Sequence, residues 1–213
     1  MQLRIAQTIA DTEAEGPGKR FALWVQGCTL HCPGCCNPEM FAPDKGGRFV
    51  ETAELAETIL STPGIEGISV LGGEPFQQPQ ALAELGTLVR AGGLSVMIYT
   101  GYTLEELRAA SVQPERSRGP GGAPSTPLGV NGVGVEQLLA VADLLVDGRY
   151  DQTKPEKRRR WIGSSNQVMH FLTPRYSPDE PRFSTPNTVE LRFVNGQLTI
   201  NGWPQAADAM RKP

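Results

Sequence analysis

Three cysteines on one short segment carry the strongest chemical signal in this sequence. Cys28, Cys32 and Cys35 form a C-x3-C-x2-C pattern. Thiolates at this spacing are suited to hold three irons of a 4Fe-4S cluster, whose usual protein ligands are cysteines. The fourth iron then has no protein ligand and is open to another molecule. The spacing therefore predicts a reactive iron–sulfur site more than a structural support.

A structural zinc site is the main alternative for the same segment. Zinc prefers four ligands, and Cys36 or His31 would complete a set. Structural zinc sites usually take their ligands as pairs from two separate segments, whereas all four cysteines here lie between positions 28 and 36. We therefore favour the cluster and interpret Cys36 as a packed thiol beside it, because a fourth ligand would close the open iron. His31 is interpreted as a loop side chain.

Length and composition limit the class of protein. The chain has 213 residues, which is enough for one domain with appendages and a substantial core. No apolar run approaches the roughly 18–20 residues of a membrane span, and the N-terminus lacks the layout of a secretory signal. The net charge of -3 gives no general reason to expect nucleic acid or a membrane as partner. Clustered cysteines without distant disulfide partners indicate a reducing compartment, so we predict a cytoplasmic protein.

Strands that alternate with helices must position the cysteines. The sequence predicts strands over 21–25, 68–71, 94–100 and 144–146, and helices over 52–60, 79–91, from 103 onward, and over 136–142. This alternation is typical of βαβ units with a parallel sheet, so we predict the α/β class. The cysteine segment, residues 72–74, residues 99–102 and Asp147 each follow a strand. Because ligands bind at the carboxyl ends of parallel strands, we expect these groups to share one edge of the sheet.

Two internal segments interrupt this alternation. Residues 113–134 are rich in Gly, Pro and Ser, which predicts a flexible insertion. Residues 154–160 are basic, which is typical of a solvated segment and alternatively of an arm that docks on an acidic partner.

The C-terminal part of the chain carries a hairpin signal. Asn195 and Gly196 form a strong two-residue turn, which places Phe193 opposite Leu198 and predicts a hairpin over 189–200. The apolar pairs fall on one face, so we expect that face to cover part of the core. We divide the chain into a cluster domain, residues 1–173, and a C-terminal extension, residues 174–213.

An ordered set of short motifs resembles the radical S-adenosylmethionine enzymes, and among them the activating enzymes of glycyl-radical proteins, especially the anaerobic ribonucleotide reductase activases. The motifs are EGPGKR at 15–20, QGC at 26–28, CPGCCN at 32–37, GGEP at 72–75, YTGY at 99–102, VDGR at 146–149 and GSSNQ at 163–167. The resemblance covers about residues 15–108 and 141–171. Each motif alone is a weak signal, whereas the ordered set is specific.

The resemblance implies a fold and a set of site residues. The fold is an open, partial β/α barrel of the radical S-adenosylmethionine type, with the hairpin as an extension. Cys28, Cys32 and Cys35 would ligate one 4Fe-4S cluster, and S-adenosylmethionine would chelate the open iron. The residues implied in cofactor binding are Gly34, Cys35, Cys36, Gly72, Gly73, Glu74 and Asp147. Gly73 would approach the methionine part closely because it has no Cβ, and Glu74 either contacts the cofactor amine or orients the backbone.

The resemblance also implies a reaction and its partners. Reductive cleavage of S-adenosylmethionine to a 5'-deoxyadenosyl radical would precede hydrogen abstraction from a glycine of a partner protein. No catalytic side chain is implied, because the cluster and cofactor perform the chemistry. The partners would be a glycyl-radical protein and a flavodoxin- or ferredoxin-like electron donor. Two alternatives stay open: a radical enzyme that modifies another peptide or a small metabolite, and a non-catalytic metal-binding interaction module.

Overall fold

A computed structural model describes residues 1–112, 132–194 and 196–203, and it shows a mixed α/β fold with one large sheet and a separate hairpin. The strands are β1 (Gln2–Thr12), β2 (Arg20–Val25), β3 (Arg48–Glu51), β4 (Gly67–Gly72), β5 (Ser95–Tyr99), β6 (Leu144–Asp147), β7 (Val168–Phe171), β8 (Val189–Val194) and β9 (Gln197–Gly202). The helices are α1 (Thr52–Leu60), α2 (Pro79–Ala91), α3 (Leu104–Val112) and α4 (Gly132–Val141). Within the described ranges no helix is long and apolar enough to cross a membrane.

The large sheet has seven strands in the order β3-β1-β2-β4-β5-β6-β7. Its four central strands, β2, β4, β5 and β6, run parallel, as the alternating pattern predicts. Strands β1, β3 and β7 add antiparallel edges that the sequence did not predict. Strands β3 and β7 are four residues long and have no fully buried position, so their hydrophobic pattern is too weak to read.

The two faces of the parallel strands are covered differently. Leu23, Ile68 and Ile98 belong to the main core, which also includes buried residues of α1, α2 and α4. The alternate residues Trp24 and Met97 belong to smaller clusters on the opposite face. The second face is covered by chain segments that follow β6, and not by helices. A cavity lies on this face, near the ends of the strands.

The helix boundaries follow local signals where those signals are strong. Helix α1 spans the predicted residues, and α2 ends at Ala91 just before two glycines. The predicted capping box opens α3: Thr103 N donates to Glu106 Oε2 at 2.8 Å, and Glu106 N donates to Thr103 Oγ1 at 3.1 Å. The start of α3 is therefore determined by two reciprocal hydrogen bonds that the sequence specifies.

The predicted C-terminal boundary of the insertion over 113–134 is wrong. Residues 132–134 form the first turn of α4, which begins four residues before the predicted start at 136. Gly134 packs closely on α2, since a Cβ there would lie 2.7 Å from the side chain of Gln80. This tertiary contact outweighs the low helix propensity of glycine. Residues 113–131 of the predicted insertion lie outside the described residues.

The C-terminal hairpin has the predicted register but not the predicted orientation. Phe193 pairs with Leu198 and Leu191 pairs with Ile200. The expectation that this face covers the core is wrong, because Leu191, Phe193 and Leu198 are 57%, 74% and 58% exposed.

The opposite, polar face of the hairpin docks on the end of β1. Arg192 Nη1 donates to Asp11 Oδ1 at 2.8 Å, and Asn201 Nδ2 donates to Thr12 Oγ1 at 2.9 Å. Glu190 Oε1 accepts from a backbone N–H of the same segment at 2.7 Å. Polar groups at the end of β1 thus select the polar face of the hairpin.

Candidate functional site

A cavity of about 200 Å³ lies at the carboxyl ends of the parallel strands and gathers most of the sequence-predicted site. The predicted residues that line it are Cys28, Cys32, Cys35, Cys36, Gly72, Gly73 and Glu74. The segments that follow β5 and β6 also reach it, through Thr100, Gly101, Gly148 and Tyr150. Gly34 and Asp147 are not among its lining residues. The shared edge expected from the strand pattern is therefore present.

The cysteine segment is tied at its start and turned back in its middle. Gly27 N donates to Met40 O and Cys28 N donates to Phe41 O, both at 2.9 Å. Cys35 N donates to Cys32 O at 3.1 Å, which closes a turn between these two cysteines. These bonds hold the three predicted ligands against one cavity. None of the four cysteines, all within the described ranges, forms a disulfide.

The thiols sit in surroundings that favour their neutral form when no metal is bound. Burial raises the pKa of Cys28 and of Cys32 above the usual range for a thiol. Backbone N–H groups of Leu30 and His31 partly offset this rise at Cys28, and Arg149 partly offsets it at Cys32. Because metals bind thiolates, cluster binding would release protons from these residues.

The predicted ligands, all within the described ranges, are not arranged around a single ion. Among the residues that the structure describes, no three His, Cys, Asp or Glu side chains converge as the ligands of one metal ion do. Tetrahedral zinc, with Zn–S bonds of about 2.3 Å, would require sulfurs about 3.8 Å apart. In a 4Fe-4S cluster each thiolate would bind a different iron. The assignment of Cys28, Cys32 and Cys35 to a cluster stays a prediction.

His31 and Cys36, the extra ligands of the zinc alternative, differ in their position relative to the cavity. His31 is exposed with a φ of 46°, and its ring centroid lies 4.5 Å from that of Phe41. Its side chain therefore packs on the loop. Cys36 lines the cavity, and its Sγ accepts a hydrogen bond from Asn37 Nδ2 at 3.6 Å.

The glycine turn after β4 packs directly on the start of the cysteine segment. Gly73 N donates to Val25 O and Glu74 N donates to Gly27 O, both at 2.8 Å. A Cβ on Gly73 would lie 2.2 Å from Gly27 O, and Gly72 has a φ of 99°. Glycine is thus required here by contact with the chain's own backbone, in addition to the cofactor contact that the sequence predicts.

Glu74 joins the ends of two neighbouring strands beneath the cavity. Its Oε1 accepts from Phe76 N at 2.9 Å and from Thr100 Oγ1 at 2.8 Å, and its Oε2 accepts from Gly101 N at 2.9 Å. Burial raises the pKa of this carboxyl group to about 7. These bonds correspond to the backbone-orienting role, one of the two roles that the sequence leaves open for Glu74.

Asp147 and Gly34 have contacts outside the cavity lining. Asp147 Oδ2 accepts from Leu104 N at 2.6 Å and lies 2.9 Å from His170 Nε2, so this carboxylate supports the start of α3. Gly34 has a φ of 73°, and a Cβ there would lie 2.2 Å from Gln152 Oε1. Cofactor contact by either residue stays a prediction.

The basic segment is partly built into the fold. Arg159 Nε donates to Glu156 Oε2 at 2.6 Å, and its Nη1 donates to Gln167 O at 2.9 Å. Lys157 and Arg158 are exposed. The solvated interpretation therefore applies to these two residues, whereas Arg159 stabilises the turn that follows them.

One wall of the cavity was missed by sequence reasoning. Glu15, inside the first motif, is buried, and its Oε1 accepts from Gly202 N at 2.8 Å. Burial raises the pKa of Glu15 to about 7. Asn201 and Trp203, at the end of β9, line the cavity beside it. The motif could have drawn attention to Glu15, but no local pattern brings together residues 187 positions apart.

Comparison with known proteins finds a matching family model and several similar proteins. A family model described as a 4Fe-4S single cluster domain matches residues 14–170. Anaerobic ribonucleoside-triphosphate reductase-activating proteins of Salmonella typhi and Escherichia coli are each 31% identical to the chain, over 74% of it and 91% of their own length. The protein of the same name from Vibrio cholerae is 29% identical over 168 residues. The family model includes every predicted site residue and ends before the hairpin.

Proposed function

The chain belongs to the family of the anaerobic ribonucleoside-triphosphate reductase-activating proteins, and from this premise we propose that it is a radical S-adenosylmethionine enzyme that generates a glycyl radical on a partner reductase. The observation that carries the proposal is the single cavity shared by Cys28, Cys32, Cys35 and the glycine turn after β4. Three ligands on one loop leave one iron open, which is what binding of a cofactor at the cluster requires.

The cluster and the cofactor supply the difficult chemistry when they are bound. One electron from a flavodoxin- or ferredoxin-like donor would break a sulfonium C–S bond of S-adenosylmethionine and release methionine; the resulting 5'-deoxyadenosyl radical would take a hydrogen atom from a glycine Cα to give 5'-deoxyadenosine and a glycyl radical. Cys28, Cys32 and Cys35 hold the cluster in this proposal.

The chain's own groups orient the cofactor and shape its site. Residues 34–36 lie on the cysteine segment and are assigned to the adenosyl part. Residues 72–74 are assigned to the methionine part, with Glu74 holding the Thr100–Gly101 loop against the cavity through its hydrogen bonds. Asp147, at the end of β6, acts through its bond to Leu104 N, which positions the start of α3 after the loop that follows β5.

The fold and the location complete the proposal. The seven-stranded sheet is assigned to the open, partial barrel type, with residues 1–173 as the cluster domain and 174–213 as the extension. Support comes from the two faces of the parallel strands, since one packs on helices and the other holds the cavity. The proposed location is cytoplasmic, which the clustering of four thiols on one loop supports.

The test uses the full chain reconstituted anaerobically with iron and sulfide. After addition of S-adenosylmethionine and a reductant, we expect a changed electron paramagnetic resonance signal of the cluster and production of 5'-deoxyadenosine. Addition of the anaerobic ribonucleoside-triphosphate reductase from the same source should then yield a glycine-centred radical. The matched control is Cys28→Ala, which should give neither product.

The outcomes separate the alternative functions. Production of 5'-deoxyadenosine without a radical on the reductase would indicate that the substrate is another peptide or a small metabolite. An assembled cluster that neither responds to S-adenosylmethionine nor cleaves it would indicate a non-catalytic metal-binding module and overturn the proposal.

A further inference from the structure

The C-terminal hairpin contributes to the cavity from outside the family domain. The family model ends at residue 170. Ile200, Asn201, Gly202 and Trp203 nevertheless line the same cavity as the cysteines. An element that is additional to the family domain therefore forms part of the site's wall.

Main-chain contacts hold the end of β9 in this position. Gly202 N donates to Glu15 Oε1 at 2.8 Å, and Trp203 N donates to Thr188 O at 3.1 Å. A Cβ on Gly202 would lie 2.3 Å from Thr188 O and 3.0 Å from the Cβ of Ala14. The wall is thus docked closely on the residues that precede β2.

Two side chains of this wall have unused hydrogen-bonding groups. Asn201 is 5% exposed, and its Nδ2 is bonded to Thr12. Its Oδ1 is buried without a hydrogen-bond partner among the described residues, and the same holds for Nε1 of Trp203. A buried polar group without a partner is energetically unfavourable. Two of them on one cavity wall indicate that a ligand supplies the missing partners.

Asn201 Oδ1 and Trp203 Nε1 have the hydrogen-bonding properties needed to bind a peptide main chain. Oδ1 of Asn201 only accepts a hydrogen bond, and Nε1 of Trp203 only donates one. A peptide main chain presents the complementary pair, one N–H and one C=O for each residue. A target glycine has no side chain, so its main chain is the part that a protein can recognise by hydrogen bonds.

We propose, on the basis of the proposed function, that Asn201 and Trp203 bind the main chain of the glycine-bearing segment of the target protein. Asn201 Oδ1 accepts a hydrogen bond from a peptide N–H, and Trp203 Nε1 donates one to a peptide carbonyl. The family model ends before these residues, and the proposed function assigns the cofactor to residues 34–36 and 72–74 within it. They contribute to recognition of the target and act as specificity-determining residues.

The test replaces Trp203 by Phe, which keeps an aromatic ring and removes only the N–H. The probe is the anaerobic ribonucleoside-triphosphate reductase from the same source. We expect its Kd, measured by anaerobic calorimetry, to rise about tenfold, because one hydrogen bond of about 1.4 kcal/mol corresponds to that factor. Glycyl-radical formation at low reductase concentration should slow by the same factor. The cluster signal should not change, because Trp203 lies outside the cysteine segment.

The control variant is Phe193→Ser on the same hairpin, where the side chain is 74% exposed and does not line the cavity. It should leave the Kd unchanged. Equal weakening by both variants would place the contact on the outer face of the hairpin and overturn the proposal. Loss of uncoupled cleavage in Trp203→Phe with an intact cluster would assign the residue to the cofactor and also overturn it.

Failure of this inference differs from failure of the proposed function. If the parent protein forms no radical on the reductase, the proposed function fails and the inference with it. If the parent protein forms the radical and Trp203→Phe binds and activates the reductase as well as the parent does, only the inference is wrong.

Discussion

The two ends of the parallel strands both bury polar groups, but they differ in whether every buried group that we compare finds a partner in the described part of the chain. At the amino end, Arg20 is fully buried, and all three nitrogens of its guanidinium donate to oxygens of neighbouring segments, including Ser69 Oγ at 2.7 Å and Ser95 Oγ at 3.0 Å. At the carboxyl end, Asn201 and Trp203 keep buried atoms without partners among the described residues. A satisfied network stabilises the fold, whereas unsatisfied groups on a cavity wall indicate ligand binding.

The C-terminal extension contacts both ends of the sheet. At the amino end, Tyr176 OH donates to Glu66 Oε1 at 2.9 Å, and Arg182 Nη1 lies 3.0 Å from the same oxygen. At the carboxyl end, the hairpin docks on Glu15 through Gly202. Segments that follow the family domain therefore support the fold at one end and form part of the candidate site at the other.

The largest expected effect is on iron content, and it distinguishes Cys28, Cys32 and Cys35 from Cys36 at the carboxyl end of the parallel strands. Anaerobically reconstituted parent protein should hold about four irons per chain, because one cysteine loop binds one cluster. Cys28→Ala, Cys32→Ala and Cys35→Ala should each reduce this to near zero, whereas Cys36→Ala should largely retain it. Iron and sulfide analysis measures the result. Loss of iron in Cys36→Ala, with retention in one of the other three variants, would show that a different triad binds the cluster.

The next prediction tests whether the buried hydrogen bonds of Arg20, at the amino end of the parallel strands, stabilise the fold. Arg20→Met leaves the hydroxyls of Ser69 and Ser95 and the carbonyl oxygen of Ile68 without their buried donor. We expect the free energy of unfolding to fall by about 3–5 kcal/mol, measured by urea titration of the metal-free protein. Exposed Arg158→Met is the control and should change it by no more than about 0.5 kcal/mol. Equal stability of the two variants would contradict the contrast between the two ends.

A smaller, pH-dependent effect is expected at Glu15. Its pKa in the folded protein is about 7, against an ordinary value of 4.5, because burial disfavours the charged form. The folded state therefore binds this proton more tightly than the unfolded state does. Glu15 accordingly lowers stability progressively as the pH rises from about 4.5 to about 7, by at most about 1.4 kcal/mol per pH unit.

Glu15→Gln should remove this part of the pH dependence. The variant should match the parent near pH 4.5 and exceed its free energy of unfolding at pH 8, because the amide is neutral and its oxygen still accepts from Gly202 N. Urea titration of the metal-free proteins across this range measures the difference. Glu13→Gln, two residues away and exposed, is the control and should follow the parent. A parallel pH profile for parent and Glu15→Gln would show that burial does not penalise the carboxylate.

Local patterns in the sequence determined several parts of this protein. The spacing of Cys28, Cys32 and Cys35 predicted a shared metal site, since ligands a few residues apart on one loop cannot separate far. The capping box of Thr103 and Glu106 and the turn at Gly196 predicted a helix start and a hairpin register for the same reason. Each of these features depends on residues close in the chain, where bond geometry limits the possible contacts.

Tertiary packing decided what depends on distant residues. It turned the polar face of the hairpin toward β1 and left the apolar side chain of Phe193 exposed. It placed Gly73 against Gly27, and it brought Gly202 to Glu15 across 187 positions of sequence. Such contacts are selected by which buried polar groups find partners and which backbones fit together. No periodicity or spacing encodes that choice, because it depends on the whole folded chain.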